Sequence, residues 1–167
     1  ELSQRGIVVV TYEHDLPESQ RLAFVGCDYY RNGQAIAGVV RLTLGGRGTV
    51  GIVTGALSAM AHERRLQGFV DRLTENCPGI RLVAQAVCDE DDVSTYTAVK
   101  KILLENPELD LLVVNVASAF GSIRAVKEHS KPLHVISTNR VSEMEKYLEE
   151  HTVDAMVTHQ PWVLTDL

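Results

Sequence analysis

A chain of 167 residues with 45% apolar and 23% charged side chains can bury a sizeable core in one domain or two small lobes, and is too mixed for a disordered or fibrous class. Its formal charge of −6 argues against a basic face for gripping phosphate backbones, and no apolar run approaches the roughly 20 residues of a bilayer span. Three cysteines, Cys27, Cys77 and Cys88, are an odd set without C-x-x-C spacing; with no signal-peptide pattern at the start, a reducing cytoplasm is expected and neither a disulfide framework nor a zinc site is indicated.

Along the chain, short β-branched runs alternate with longer amphipathic stretches. "IVVVTY" (7–12) and "AFVG" (23–26) read as the first two strands, and a helical stretch follows over about 29–43. Next comes "GGRGTVGIVTG" (45–55), whose Gly46, Gly48 and Gly51 have the G-x-G-x-x-G spacing of pyrophosphate loops. In a dinucleotide fold that loop follows its strand and opens a helix, so that helix N-terminal amides face the phosphates. Here the glycines precede the strand, and the expected role is a helix C-cap with a small in-strand residue.

A helix over about 61–76 is stopped by "NCPGI" before the strand "IRLVAQAV" (80–87). The acidic "DEDD" (89–92) then opens a helix over about 93–105, which "ENPELD" breaks. "LDLLVVN" (109–115), a helix over about 118–129, "LHVIST" (133–138), a helix over about 141–150 and "DAMVTH" (154–159) complete the series. Strands alternating with crossover helices give a doubly wound, parallel α/β sheet.

Ligands of such sheets bind beyond the carboxyl ends of the strands. The polar residues expected there are Glu13 and His14; Ser58, His62 and Arg65; the acidic run; Asn115; Asn139; and His159 with Gln160. Apart from the acids this is a set of amides, histidines and one arginine, suited to a polyol: amides donate and accept, and a guanidinium fork clamps two oxygens. No G-x-S-x-G elbow, H-E-x-x-H pair or Walker loop is present, so no catalytic residue, metal ligand or cofactor is assigned. "HERR" (62–65) begins like a zincin helix but lacks its second histidine. The acidic run suits helix capping as well as a hard cation, and Asn115 and Asn139 suit capping as well as binding.

Four segments, "FVGCDYYRNGQAIAGVV" (24–40), "TVGIVTGALSAMAHERRLQGF" (49–69), "NPELDLLVVNVASAFGSIRAVKE" (106–128) and "VDAMVTHQP" (153–161), resemble the effector-binding core shared by lactose-repressor-family regulators and type I periplasmic sugar-binding proteins. The resemblance implies two α/β lobes that close on a sugar or related solute, with Arg65, Asn115, Asn139 and Gln160 lining the cleft. It places Glu13 and His14 where Asp-Arg is common, and Asn139 where Asp is usual. It also implies that residues 1–28 are a partial first lobe and crossover, 29–152 the second lobe, and 153–167 the return crossover.

On this resemblance the leading expectation is the sensor domain of a cytoplasmic transcription regulator: a homodimer that binds a sugar, sugar acid or polyol and reaches DNA only through a headpiece outside this chain. The alternative is an exported solute-binding protein of a sugar transporter; an enzyme on a related fold is the third reading. No membrane contact is expected. Arg65→Ala is expected to weaken ligand binding with little loss of fold, on the premise that its fork faces an open cleft.

Overall fold

The computed structural model describes residues 2–138 and 142–158. Their contacts divide them into two compact units, one running through Asp28 and the other spanning Tyr29–Thr158.

In the smaller unit a short 3₁₀ turn (Ser3–Arg5) precedes β1 (Val10–Tyr12) and β2 (Ala23–Val25), which pair in parallel with Thr11 opposite Phe24. The connection between them is pinned by Asp15. Its carboxylate accepts from Thr11 Oγ1 at 3.0 Å, from the Leu16 amide at 2.8 Å, and from Arg21 through both Nε and Nη2. The guanidinium of Arg21 holds the Asp15 carboxyl well below its ordinary range, at about 2. The strand expected over 7–12 is only its last three residues here, because residues 7–9 have no ladder partner among the described residues.

The larger unit carries α1 (Tyr29–Thr43), β3 (Gly48–Thr54), α2 (Met60–Asn76), β4 (Ile80–Val87), α3 (Asp92–Glu105), β5 (Leu111–Asn115), α4 (Phe120–Lys127), β6 (His134–Ser137), α5 (Ser142–Glu149) and β7 (Ala155–Met156). Its five strands are all parallel in the order β4-β3-β5-β6-β7. This is the doubly wound sheet expected from the alternation, with helices on both faces. Central β5 is buried along its whole length, as its unbroken "LLVVN" run requires of a strand covered on two sides. Leu111 and Val113 face a core with Ile36, Val40 and Phe69 of α1 and α2. Leu112 and Val114 face the other, with Val99, Ile123 and Met144 of α3, α4 and α5.

The glycines of "GGRGTVGIVTG" end α1, as expected. The Gly46 amide donates to Arg41 O at 2.9 Å and the Gly45 amide to Leu42 O at 3.3 Å, the paired bonds of a Schellman cap. Gly45 and Gly46 sit at left-handed φ, 59° and 85° respectively, where a side chain is strained.

Close packing of α1 on α2 rests on two other glycines. A Cβ on Gly33 would lie 2.0 Å from Arg65 O, and one on Gly68 would lie 2.0 Å from Tyr30 O. The helices therefore meet backbone to backbone, and the Tyr30 hydroxyl ties them further by donating to Asp71 at 2.9 Å. That bond, to a carboxylate, raises the Tyr30 phenol above its ordinary pKa.

Candidate functional site

The strand order reverses its winding at β3: the chain leaves β3 for β4 on one side and returns past it to β5 on the other. The carboxyl ends of β3 and β5 therefore flank the crevice where open α/β sheets take ligands. Register places Thr54, the last residue of β3, directly beside Asn115, the last of β5.

Their side chains begin a buried polar chain. Asn115 Nδ2 donates to Thr54 Oγ1 at 2.9 Å, while Asn115 Oδ1 accepts from Thr138 Oγ1 at 3.2 Å and from Arg65 Nη1 at 2.7 Å. Arg65 Nε donates to Asn32 Oδ1 of α1 at 2.7 Å, and its guanidinium carbon lies 5.2 Å from the centre of the Tyr29 ring. Thr54 and Asn115 are fully enclosed, Thr138 nearly so. A network of this kind fixes its members in one geometry, because each buried polar atom is costly to leave unmatched.

Arg65 and Asn115, both expected at the site, are thus brought into direct contact. Two expectations about them change. Arg65 is 6% exposed, so its fork is packed among amides and an aromatic ring rather than facing an open cleft, and its removal disturbs the fold as well as any ligand. Asn115 does not cap the following helix: α4 starts after Ala119 with no side-chain cap, and the Asn115 amide turns inward to the network. After these bonds Asn115 retains one Nδ2 hydrogen to offer, since its oxygen already accepts twice.

Asn139 and Gln160 lie outside the described residues. Glu13 and His14 follow β1 in the smaller unit, at the carboxyl end of that strand as expected, with Glu13 at a left-handed φ of 57°. Ser58 is exposed in the turn before α2. His62 lies in the first turn of α2, three residues before Arg65 and so on the same face.

The acidic run divides its labour. Asp91 caps its own helix, α3, by accepting from the Val93 and Ser94 amides at 2.8 and 2.9 Å. Asp92 reaches α4 instead, accepting from the Gly121 amide at 3.2 Å and from Ser118 Oγ. Glu90 accepts from the Ala117 amide at 2.7 Å and meets His62 Nε2 at 3.1 Å. Among the described residues no group of three or more His, Cys, Asp or Glu side chains is arranged to hold a metal ion.

Three contributors were not singled out from the sequence. Asn32 sits on a helix, away from any strand end, and only the Gly33–Gly68 close approach that carries α1 to Arg65 marks its place. Thr54 and Thr138 are hydroxyls at strand ends, passed over beside their amide neighbours. Chemically the assembly is a rigid, buried set of donors and acceptors around one cation.

The whole chain, residues 1–167, matches the family described as Periplasmic binding protein domain. No curated protein sequence matches it. Among solved structures, GanP, a glucose-galactose binding protein from Geobacillus stearothermophilus, is 28% identical with a TM-score of 0.89, covering 98% of this chain and 59% of that one. An ABC transporter solute binding protein from Burkholderia graminis, in complex with D-arabinose, is 25% identical with a TM-score of 0.85, covering 97% and 58%. A Caulobacter myo-inositol binding protein shares the fold at 20% identity, with a TM-score of 0.86 and coverage of 98% and 57%. This chain therefore spans less than two thirds of the length of these structures.

Proposed function

The chain belongs to the periplasmic binding protein domain family, and on that premise we infer that it supplies one wall of a cleft for a hydroxyl-rich small solute, a sugar or polyol. The observation that carries this reading is the buried Asn32–Arg65–Asn115 chain at the crevice between β3 and β5. Fixed amides and a fixed guanidinium present donors and acceptors whose geometry is set before ligand arrives, which reduces the entropy lost on binding. Arg65, Asn115, Asn139 and Gln160 are proposed as ligand contacts, and Glu13 and His14 of the smaller unit are proposed likewise. Residues 1–28 are proposed as part of the first lobe, 29–152 as the second, and 153–167 as the return crossover.

Ligand that binds a closed arrangement better than an open one shifts the balance between them, and the shift is the signal. The similar structures named above include a transporter's solute binding protein, which supports a role in solute capture outside the cytoplasm. The regulatory reading, a cytoplasmic homodimeric sensor acting on DNA through a separate headpiece, is supported by the likeness of "AMAHERRLQGF" (59–69) to regulator sequences. The residues encoded upstream of Glu1 decide between them: a signal peptide for the first, a basic helix-turn-helix for the second.

The test is a thermal-shift screen of the full-length protein against neutral sugars and polyols. A ligand that binds only the folded state raises its melting temperature with concentration. At least one pentose, hexose or inositol is expected to do so at millimolar concentration or below; no shift with any of them would overturn the reading.

A further inference from the structure

The crevice has a second cluster beside the Arg65 network. His62 Nε2 and Glu90 Oε1 are 3.1 Å apart, joining the first turn of α2 to the loop after β4. The same Glu90 oxygen accepts from the Ala117 amide in the loop after β5, at 2.7 Å. One carboxylate thus ties the start of α2 to the loops after β4 and β5.

Gly55, next after Thr54, makes room for the pair: a Cβ there would lie 2.7 Å from His62 Nε2 and 2.8 Å from Glu90 Cδ. The two side chains therefore pack against Gly55, the residue that follows the end of β3. His62 is nearly enclosed, with its side chain 12% exposed and its Nδ1 buried and without a hydrogen-bond partner among the described residues. Glu90 differs. Its side chain is 35% exposed, and both protein contacts fall on Oε1, so Oε2 has no partner among the described residues.

We propose that His62 and Glu90 form a hydroxyl-recognising subsite that selects neutral polyols over sugar acids and sugar phosphates. This deepens the sugar-binding reading and rests on it. An ionised carboxylate offers lone pairs and no proton. At Oε2 a ligand hydroxyl donates a charge-assisted hydrogen bond, whereas a carboxylate or phosphate oxygen brings a second acceptor with no hydrogen between them and adds like-charge repulsion. His62 is a positioning residue: its contact with Oε1, together with the Ala117 amide, orients the carboxylate so that Oε2 is the atom left to the ligand.

The test uses calorimetric titration of the full-length protein with D-glucose, D-arabinose and myo-inositol as neutral probes, and with D-gluconate, D-arabinonate and glucose 6-phosphate as anionic ones. The wild-type protein is expected to bind its best neutral probe at least about tenfold more tightly than any anion in the set. Glu90→Gln keeps an oxygen for the Ala117 amide but removes the charge, and is expected to reduce the neutral-over-anion preference by roughly tenfold. A wild-type preference for an anionic probe would overturn the proposal, even if Glu90→Gln failed to fold. So would a folded Glu90→Gln protein whose preference stays within about twofold of wild type. Failure of the wild-type protein to bind any probe would instead remove the sugar-binding reading, and this proposal with it.

Discussion

Replacing Asn115 by alanine tests the buried network at its centre. The substitution removes the oxygen that accepts from Arg65 Nη1 and Thr138 Oγ1, and the amide hydrogen given to Thr54 Oγ1. With Asn115 fully enclosed and Arg65 6% exposed, water does not readily replace the lost partner. A charged donor left without its acceptor costs about 1.5–3 kcal/mol and each of the two hydroxyls about 1 kcal/mol, giving about 3.5–5 kcal/mol in all. Against a domain stability of about 5–15 kcal/mol this is a large fraction. For a unit of this size it corresponds to a fall in melting temperature of roughly 10 °C or more. Thermal and urea denaturation of the full-length protein, followed by circular dichroism, measure it. A fall of less than about 3 °C would refute the reasoning, since it would mean that the network adds nothing its members do not recover from water.

Gly68→Ala and Gly33→Ala each place a methyl group 2.0 Å from a backbone oxygen of the facing helix, and each is expected to destabilise the fold by at least about 2 kcal/mol in urea denaturation. Asp91→Ala removes the cap of α3 and is expected to cost about 1 kcal/mol in the same assay. The Asp15 carboxyl, held at about 2 by Arg21, contributes stability that is present above the ordinary carboxylate pKa of about 3.9 and is lost as pH falls through the folded value. Carboxyl-carbon NMR titration is expected to locate Asp15 near the lower value in the wild-type protein and close to the ordinary one in Arg21→Ala; identical titrations would show that the pair does not set it.

Much of the fold was readable because its sheet is covered on both faces. β3 and β5 must be apolar along their length, and their β-branched runs stood out between amphipathic helices. The strands at the margins were less legible. "DAMVTH" (154–159) pairs with β6 only through Ala155 and Met156 among the described residues, and β1 keeps three residues of a longer apolar run. Apolar sequence reports burial, whereas strand length reports where a neighbouring ladder is available.

The site was half legible for a related reason. Strand-end position picks out Asn115 and the segment after β3 that leads to Arg65, because the fold fixes where carboxyl ends converge. It is silent about Asn32, which arrives on a helix through a glycine-mediated crossing that depends on two segments distant in sequence. It likewise treats "DEDD" as one cap, whereas the structure sends Asp91 to α3, Asp92 to α4 and Glu90 to the mouth of the crevice. Those destinations depend on which loops lie side by side. The burial of Arg65 was missed because a charged residue near a strand end reads as exposed until its amide partners are known.

The most direct test of the central claim is calorimetric titration of full-length wild-type and Arg65→Lys proteins with the neutral sugar that the thermal screen identifies. Lysine keeps the charge but loses the fork that joins Asn32 to Asn115. The expected result is saturable binding by the wild-type protein and an affinity at least about tenfold weaker in a variant that circular dichroism shows to be folded. Equal affinity in the two folded proteins would contradict the placement of the ligand at the Arg65–Asn115 crevice.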